Sequence, residues 1–199
     1  MGRPAASAQA ATPERLLQAA EAIFAAVGFG TAKLADIAGR AGIRRPSLLY
    51  HFPSKERLYA ATVERAFVRL RQALRGAMQA EGDFAARMMN TVDRYCEFIA
   101  DEPELSRLVL RELLDDNGPG REILIRQIVP LLDIVEQWIR TEGEGVMRAD
   151  VPVRQALLML ASDVFLRSAV GPLREKLWGR QDRSRELARA LFLAEPAPT

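Results

Sequence analysis

The stretch Ala41-Gly42-Ile43-Arg44-Arg45-Pro46-Ser47-Leu48-Leu49-Tyr50-His51-Phe52-Pro53-Ser54-Lys55-Glu56 decides how this chain is read. A residue before proline is held out of the α region. A helix is therefore predicted to begin with Pro46 as its first residue and Arg45 at its cap. It ends at His51, before Pro53, which cannot continue a helix. Arg44 and Arg45 then stand at the positive end of a helix dipole, which costs about 0.3–1 kcal/mol each when exposed. No Ser, Thr, Asp or Asn occupies the cap to accept from the free backbone N–H groups. Lys55 repeats the misplacement in the first turn of the next helix. A phosphodiester answers both features, because it accepts from free N–H groups and neutralises the cations.

Working upstream, Leu34 to Arg40 is a short apolar-faced segment, separated from Pro46–His51 by Gly42. Two helices joined by a tight glycine turn form a helix-turn-helix. Before them, Thr12-Pro13-Glu14 opens a helix with a capping residue, a first-turn proline and an acid at the positive end. Leu16, Ala19, Ala20, Ile23, Phe24 and Val27 form its apolar stripe; Gly28 ends it and Phe29 plugs the end. Downstream, Ser54 caps a long helix whose stripe runs from Val63 to Ala77 and stops at about Met78, before Gly82-Asp83.

Later breaks fall at Glu102-Pro103, Asn117-Gly118-Pro119-Gly120, Gly143-Glu144-Gly145, Gly171-Pro172 and Gly179. Four or five apolar helices are predicted between them, and strand alternation is nearly absent. The expected fold is all-α. Residues 1–11 read as a mobile tail, 12–58 as a three-helix helix-turn-helix domain, and 59–199 as a larger helical domain.

Composition narrows the function. The 199 residues are 49% hydrophobic and 27% charged, an ordinary globular balance. Residues 1–60 carry eight Lys or Arg against four Asp or Glu, whereas the whole chain is only +2, so the basic third points to a polyanionic partner. The single cysteine, Cys96, excludes an internal disulfide framework and fits a reducing, cytoplasmic setting. The single histidine, His51, excludes an HExxH zinc site. There is no G-x-S-x-G and no phosphate-binding glycine loop, so the reading is not an enzyme, and no cofactor is expected. No apolar run is long enough to span a membrane.

In a helix-turn-helix the second helix enters the major groove by its N-terminal residues. Arg44, Arg45 and Ser47, with Pro46 between them, are the candidate base readers, since arginine pairs bidentately with guanine. Tyr50, His51 and Lys55 are the candidate phosphate contacts. For His51, burial against Phe52 weighs equally.

Residues 12–58 resemble the DNA-binding domain of the TetR family of bacterial transcriptional regulators. The resemblance rests on Arg15-Leu16-Leu17 with Ala19-Ala20, Phe24, Gly28-Phe29, Asp36-Ile37-Ala38, Ala41-Gly42-Ile43, and Leu48 with His51-Phe52-Pro53-Ser54-Lys55-Glu56. It implies a homodimer on a near-palindromic operator in double-stranded DNA, and a C-terminal domain that binds a small-molecule effector and dimerises through its last two long helices. It carries phosphate roles over to His51 and Lys55. The family's phosphate-binding tyrosine is replaced by Leu49, with Tyr50 one place later as substitute. The family's Thr-Thr before the second helix is replaced by Ala32-Lys33, leaving Thr31 to cap and Lys33 to reach a phosphate.

The effector pocket is expected among Met88, Met89, Tyr95, Phe98, Arg111, Trp138 and Phe165, since methionine and aromatics suit adaptable apolar sites. An ordinary core would use the same residues, and Arg111 would either meet an acidic effector or reach to water. Leu110, Leu114, Ile128 and Leu131 belong to the same set. Glu112 with Asp115-Asp116 reads as a solvated acidic helix end rather than a metal site, and Cys96 as a small core residue. Ala156–Val170, apolar on most sides, and Ser184–Leu193 are the expected dimer surface. The expected function is a sequence-specific transcriptional regulator, a repressor released by its effector. The alternative is a helical ligand-binding protein with a degenerate helix-turn-helix.

Overall fold

The computed structural model describes residues 12–115 and 119–194. The expected tail at 1–11, including Gly2-Arg3-Pro4, lies outside them. The described residues form ten helices: α1 (Thr12–Thr31), α2 (Leu34–Arg40), α3 (Arg45–His51), α4 (Lys55–Met78), α5 (Phe84–Asp101), α6 (Pro103–Leu114), α7 (Pro119–Glu142), α8 (Val153–Ala169), α9 (Leu173–Trp178) and α10 (Ser184–Phe192). The only β pairing among them is an isolated bridge between Met147 and Leu193. Beyond Gly82 there are six helices rather than four or five; the short, exposed α9 between Gly171-Pro172 and Gly179 is the addition. No helix is long and apolar enough to cross a membrane among the described residues.

Local sequence explains the first four helices. Gly28, at φ 78° and ψ 167°, breaks α1 as expected, although one more turn follows to Thr31. Phe29 then packs its ring against Phe24 and edge-on to Tyr59 at 5.1 Å. α2 closes in a Schellman motif: Ile43 N–H donates to Ala38 C=O and Gly42 N–H to Gly39 C=O, both at 3.0 Å. Gly42 sits at φ 70°, where L side chains are strained. Thr31 does not cap α2; the cap position is Lys33, with no side-chain bond. α3 begins one residue earlier than predicted, with Arg44 at the cap and Arg45 in the first turn. Ser54 caps α4 by accepting from Arg57 N–H at 3.2 Å.

The boundary drawn at residue 58 falls inside α4 rather than between two units. Leu58, Tyr59, Val63, Phe67 and Leu70 of that helix belong to one buried cluster. The cluster also takes in Phe24 and Phe29 from α1, Leu48 from α3, and Leu105, Leu108 and Val109 from α6. A second cluster joins Phe84, Met88 and Met89 of α5 to Ile139, Leu160 and Phe192. α1 packs extensively on α6, so the helix-turn-helix is built onto the larger domain and not hung from a linker.

Candidate functional site

The recognition segment is laid out by one buried residue. Leu48 is fully buried, and Leu49 is half-buried against the same core. Arg44, Arg45, Pro46, Ser47 and Tyr50 are therefore left exposed. Neither Arg44 nor Arg45 has an ion-pair or side-chain hydrogen-bond partner among the described residues. The α3 cap carries no side-chain bond either; Pro46 has no N–H and Ser47 N–H donates to Arg44 C=O at 3.0 Å, so it is the two guanidinium groups that remain for an external acceptor. Tyr50, 86% exposed, stands on the outside of α3, with its ring centroid 5.4 Å from that of half-buried His51.

Lys33 is exposed at the start of α2. Two cations escaped the sequence reading. Arg40, in the last turn of α2, and Arg57, in the first turn of α4, are both exposed, and neither side chain has a partner among the described residues. Their signal was available as basic residues beside the turn and beside Lys55. Lys55 itself is placed differently. Its ammonium donates to the carbonyls of Gly30 at 2.9 Å and Ala32 at 3.1 Å, and lies 4.7 Å above the Phe29 ring. It is spent on the carbonyl end of α1, where a cation is electrostatically favoured.

The larger domain holds an apolar cavity of about 160 Å³. Phe67, Leu70 and Leu74 of α4, Val109, Leu110 and Leu113 of α6, and Ile128, Leu131 and Val135 of α7 form much of its wall, closed by Leu157 and Phe165 of α8. No charged side chain among the described residues lines it. The Tyr95 hydroxyl in its wall already donates to Ala161 C=O at 3.1 Å, and burial pushes the phenol well above its usual range. The cavity can therefore select by shape and apolarity, with little to orient a polar group.

Of the pocket residues expected from sequence, Tyr95, Leu110, Ile128, Leu131 and Phe165 line this cavity. The other six do not. Met88 and Met89 are buried in the second cluster, and Trp138 packs there on Phe84 at 5.2 Å. Phe98 faces Arg69, whose guanidinium lies 5.6 Å from its ring centroid. Arg111, exposed at its surface, donates to Ala26 C=O at 3.0 Å. Leu114 is 83% exposed and outside the wall. Helical periodicity identified apolar residues, but it could not say which side of α5 faces α8 and which faces α10. Glu112 also departs from expectation: it is 1% exposed rather than solvated, and its Oε1 accepts from Phe29 N–H at 2.7 Å.

On α8, Val153, Ala156, Leu160, Val164 and Arg167 face inward. The opposite side leaves Leu158, Met159 and Leu166 more than 40% exposed, and Leu173 and Leu177 of α9 are exposed as well. The buried guanidinium of Arg167 is held by Asp163 and Asp182.

Residues 16–62 match the family described as bacterial regulatory proteins, tetR family. A curated relative, the HTH-type transcriptional activator FasR of Mycolicibacterium smegmatis, is 34% identical over 95 residues, covering 48% of this chain and 43% of its own length. The matched part is thus less than half of that relative. Among solved structures, the fatty acid degradation regulator FadR from Bacillus halodurans superposes with a TM-score of 0.73 at 16% identity, covering 89% of this chain and 96% of that one. FadR from Bacillus subtilis in complex with stearoyl-CoA gives 0.72 at 14% identity, with 89% and 96% covered. The ketosteroid regulator KstR2 of Mycobacterium tuberculosis gives 0.70 at 19% identity, with 92% and 95% covered. Residues 16–62 are thus a DNA-binding domain of the tetR family of bacterial regulatory proteins, set in a fold that the chain shares with these solved structures along nearly its whole length.

Proposed function

We propose that this chain is a dimeric, effector-responsive transcriptional regulator that binds double-stranded DNA through α2, α3 and the start of α4. The observation that carries the reading is the exposed pair Arg44 and Arg45, without partners among the described residues, at the N-terminal end of the second helix of a helix-turn-helix. Arg44, Arg45 and Ser47 read bases in the major groove, and Pro46 sets the helix start. Tyr50, His51, Lys33, Arg40 and Arg57 contact the backbone, so affinity falls steeply with salt. Two copies meet through the outward faces of α8 and α10 and present two recognition helices to a near-palindromic operator. Such a protein works in the cytoplasm, where the chromosome is.

The effector is proposed to be a long-chain acyl compound or a comparably apolar molecule, held in the uncharged cavity. The stearoyl-CoA complex of one structural neighbour supports that class. Release from DNA follows when the occupied dimer no longer spaces its recognition helices about 34 Å apart, the repeat of the major groove. Repression is the proposed outcome, although the curated relative is named an activator.

Selecting bound fragments from a genomic library with the wild type and with Arg45→Ala tests this. The wild type is expected to enrich a palindromic site, and the variant to lose discrimination at one base position by about 1–3 kcal/mol. A second reading, a ligand-binding protein whose helix-turn-helix is degenerate, is favoured by two observations. Leu49 has no donor, and Lys55 is engaged by backbone carbonyls. No enrichment by either form would select it.

A further inference from the structure

The junction between the helix-turn-helix and the cavity is closed by a single carboxylate. Glu112 lies on α6 among three cavity-lining residues, Val109, Leu110 and Leu113. Its Oε1 accepts the N–H of Phe29, which comes directly after the break in α1. Its Oε2 is buried without a hydrogen-bond partner among the described residues, as is the Tyr59 hydroxyl.

Two glycines make room for this contact. A Cβ on Gly28 would come within 2.9 Å of Arg111 Cδ. One on Gly120, at the start of α7, would clash with Glu112 Oε2 and lie 2.9 Å from Phe29 Cβ. Beside Glu112, Arg111 donates to Ala26 C=O, so adjacent residues of α6 hold the α1 backbone on both sides of Gly28. From Phe29 the contacts continue to Lys55, over its ring, and through Lys55 to the carbonyl of Ala32, two residues before α2.

We propose that Glu112 is a positioning residue for DNA binding: from the cavity-lining helix α6, its carboxylate fixes the Phe29 backbone and with it the placement of α2 and α3. A buried acceptor left without its donor, or the reverse, is costly, so the contact has two distinct states, made and broken, rather than a graded one. Displacement of α6 by a molecule in the cavity pulls on Phe29 through this bond. The inference rests on the proposed DNA-binding function for its purpose, but not for its geometry.

The test uses the full chain as wild type, Glu112→Gln, Glu112→Ala, Gly120→Ala and the double variant Glu112→Ala with Gly120→Ala. Amide hydrogen exchange reads the latch without DNA. Glu112→Gln keeps an acceptor and is expected to exchange like the wild type. Glu112→Ala and Gly120→Ala are each expected to speed exchange of amides 29–51 about tenfold, with α5 and α8 unchanged. If Gly120→Ala acts by displacing the carboxylate, the double variant exchanges no faster than Glu112→Ala alone. On the fragment enriched by the wild type, both single alanine variants bind about tenfold more weakly. Unchanged exchange at 29–51 in Gly120→Ala overturns the proposal, even if Glu112→Ala fails to fold; so does additivity in the double variant. Faster exchange in a protein whose wild type enriches no DNA sustains the latch and instead overturns the regulator reading.

Discussion

Lys55 reaches back to Gly30, donating its ammonium to that carbonyl at 2.9 Å and to Ala32 C=O at 3.1 Å. The residue that the family resemblance assigns to a phosphate is here a brace on the end of α1. Lys55→Met keeps the alkyl stem and removes both bonds. Urea unfolding is expected to show a loss of about 1 kcal/mol, at the low end for charged hydrogen bonds because the site is half open to water. The salt slope of DNA binding should stay at the wild-type value, whereas Arg57→Ala, which removes a proposed backbone contact, should lower it by about one. A slope that falls equally in both variants would return Lys55 to the phosphate.

Glu112 gives stability a pH signature. Burial, the largest influence, holds its carboxyl above the ordinary value of 4.5; the Phe29 N–H and Arg111 pull it down, and Asp115 adds to burial. The nearby Tyr59 phenol is pushed up by its own burial and by Glu112. An acid whose pKa is higher in the folded state contributes fully below its unfolded pKa, and that contribution is lost as pH rises through the folded value. The melting temperature of Glu112→Gln minus that of the wild type should therefore grow from about pH 4.5 upward. A difference that is flat across that window would mean that the carboxyl is not destabilised by its surroundings.

Ala161 offers a way to fill the cavity without disturbing its frame. It lines the wall, and its carbonyl is already held by the Tyr95 hydroxyl. Ala161→Phe is expected to weaken calorimetric binding of dodecanoate at least tenfold, while costing no more than about 1–3 kcal/mol of stability. Wild-type affinity in this variant would place the binding elsewhere.

The outward side of α8 should be covered by a second copy. Met159 and Leu166, 49% and 43% exposed, point away from the monomer core, so Asp at both positions leaves the isolated fold intact. Sedimentation is expected to give a dimer for the wild type and a monomer for Met159→Asp/Leu166→Asp, with unchanged helical circular dichroism. A doubly substituted protein that still sediments as a dimer would remove α8 from the interface.

The helix-turn-helix was legible because its signals are local. Gly42, Pro46, Pro53 and Ser54 act on their own backbone, and the boundaries of α2 and α4 follow from them to within a residue. The cavity was only half legible. Tyr95 and Phe165 meet there, but Met88, Met89 and Trp138 fill a different cluster, a distinction set by which helices cross and not by periodicity. Glu112 was misjudged for the same reason. An acid near the end of a helix, beside Asp115 and ahead of Asn117-Gly118, reads as solvated until α1 is laid across it and the Phe29 N–H arrives from 83 residues away.

Because one apolar core runs through α1, α3, α4 and α6, the reading head and the sensor are not separable modules. A chimaera that grafts a foreign sensor after the first four helices would inherit Phe29, Tyr59 and Lys55 but strand them without Arg111 and Glu112. Swapping specificity in this scaffold thus requires transplanting the face of α6 along with the recognition helix, or rebuilding that face in the new host.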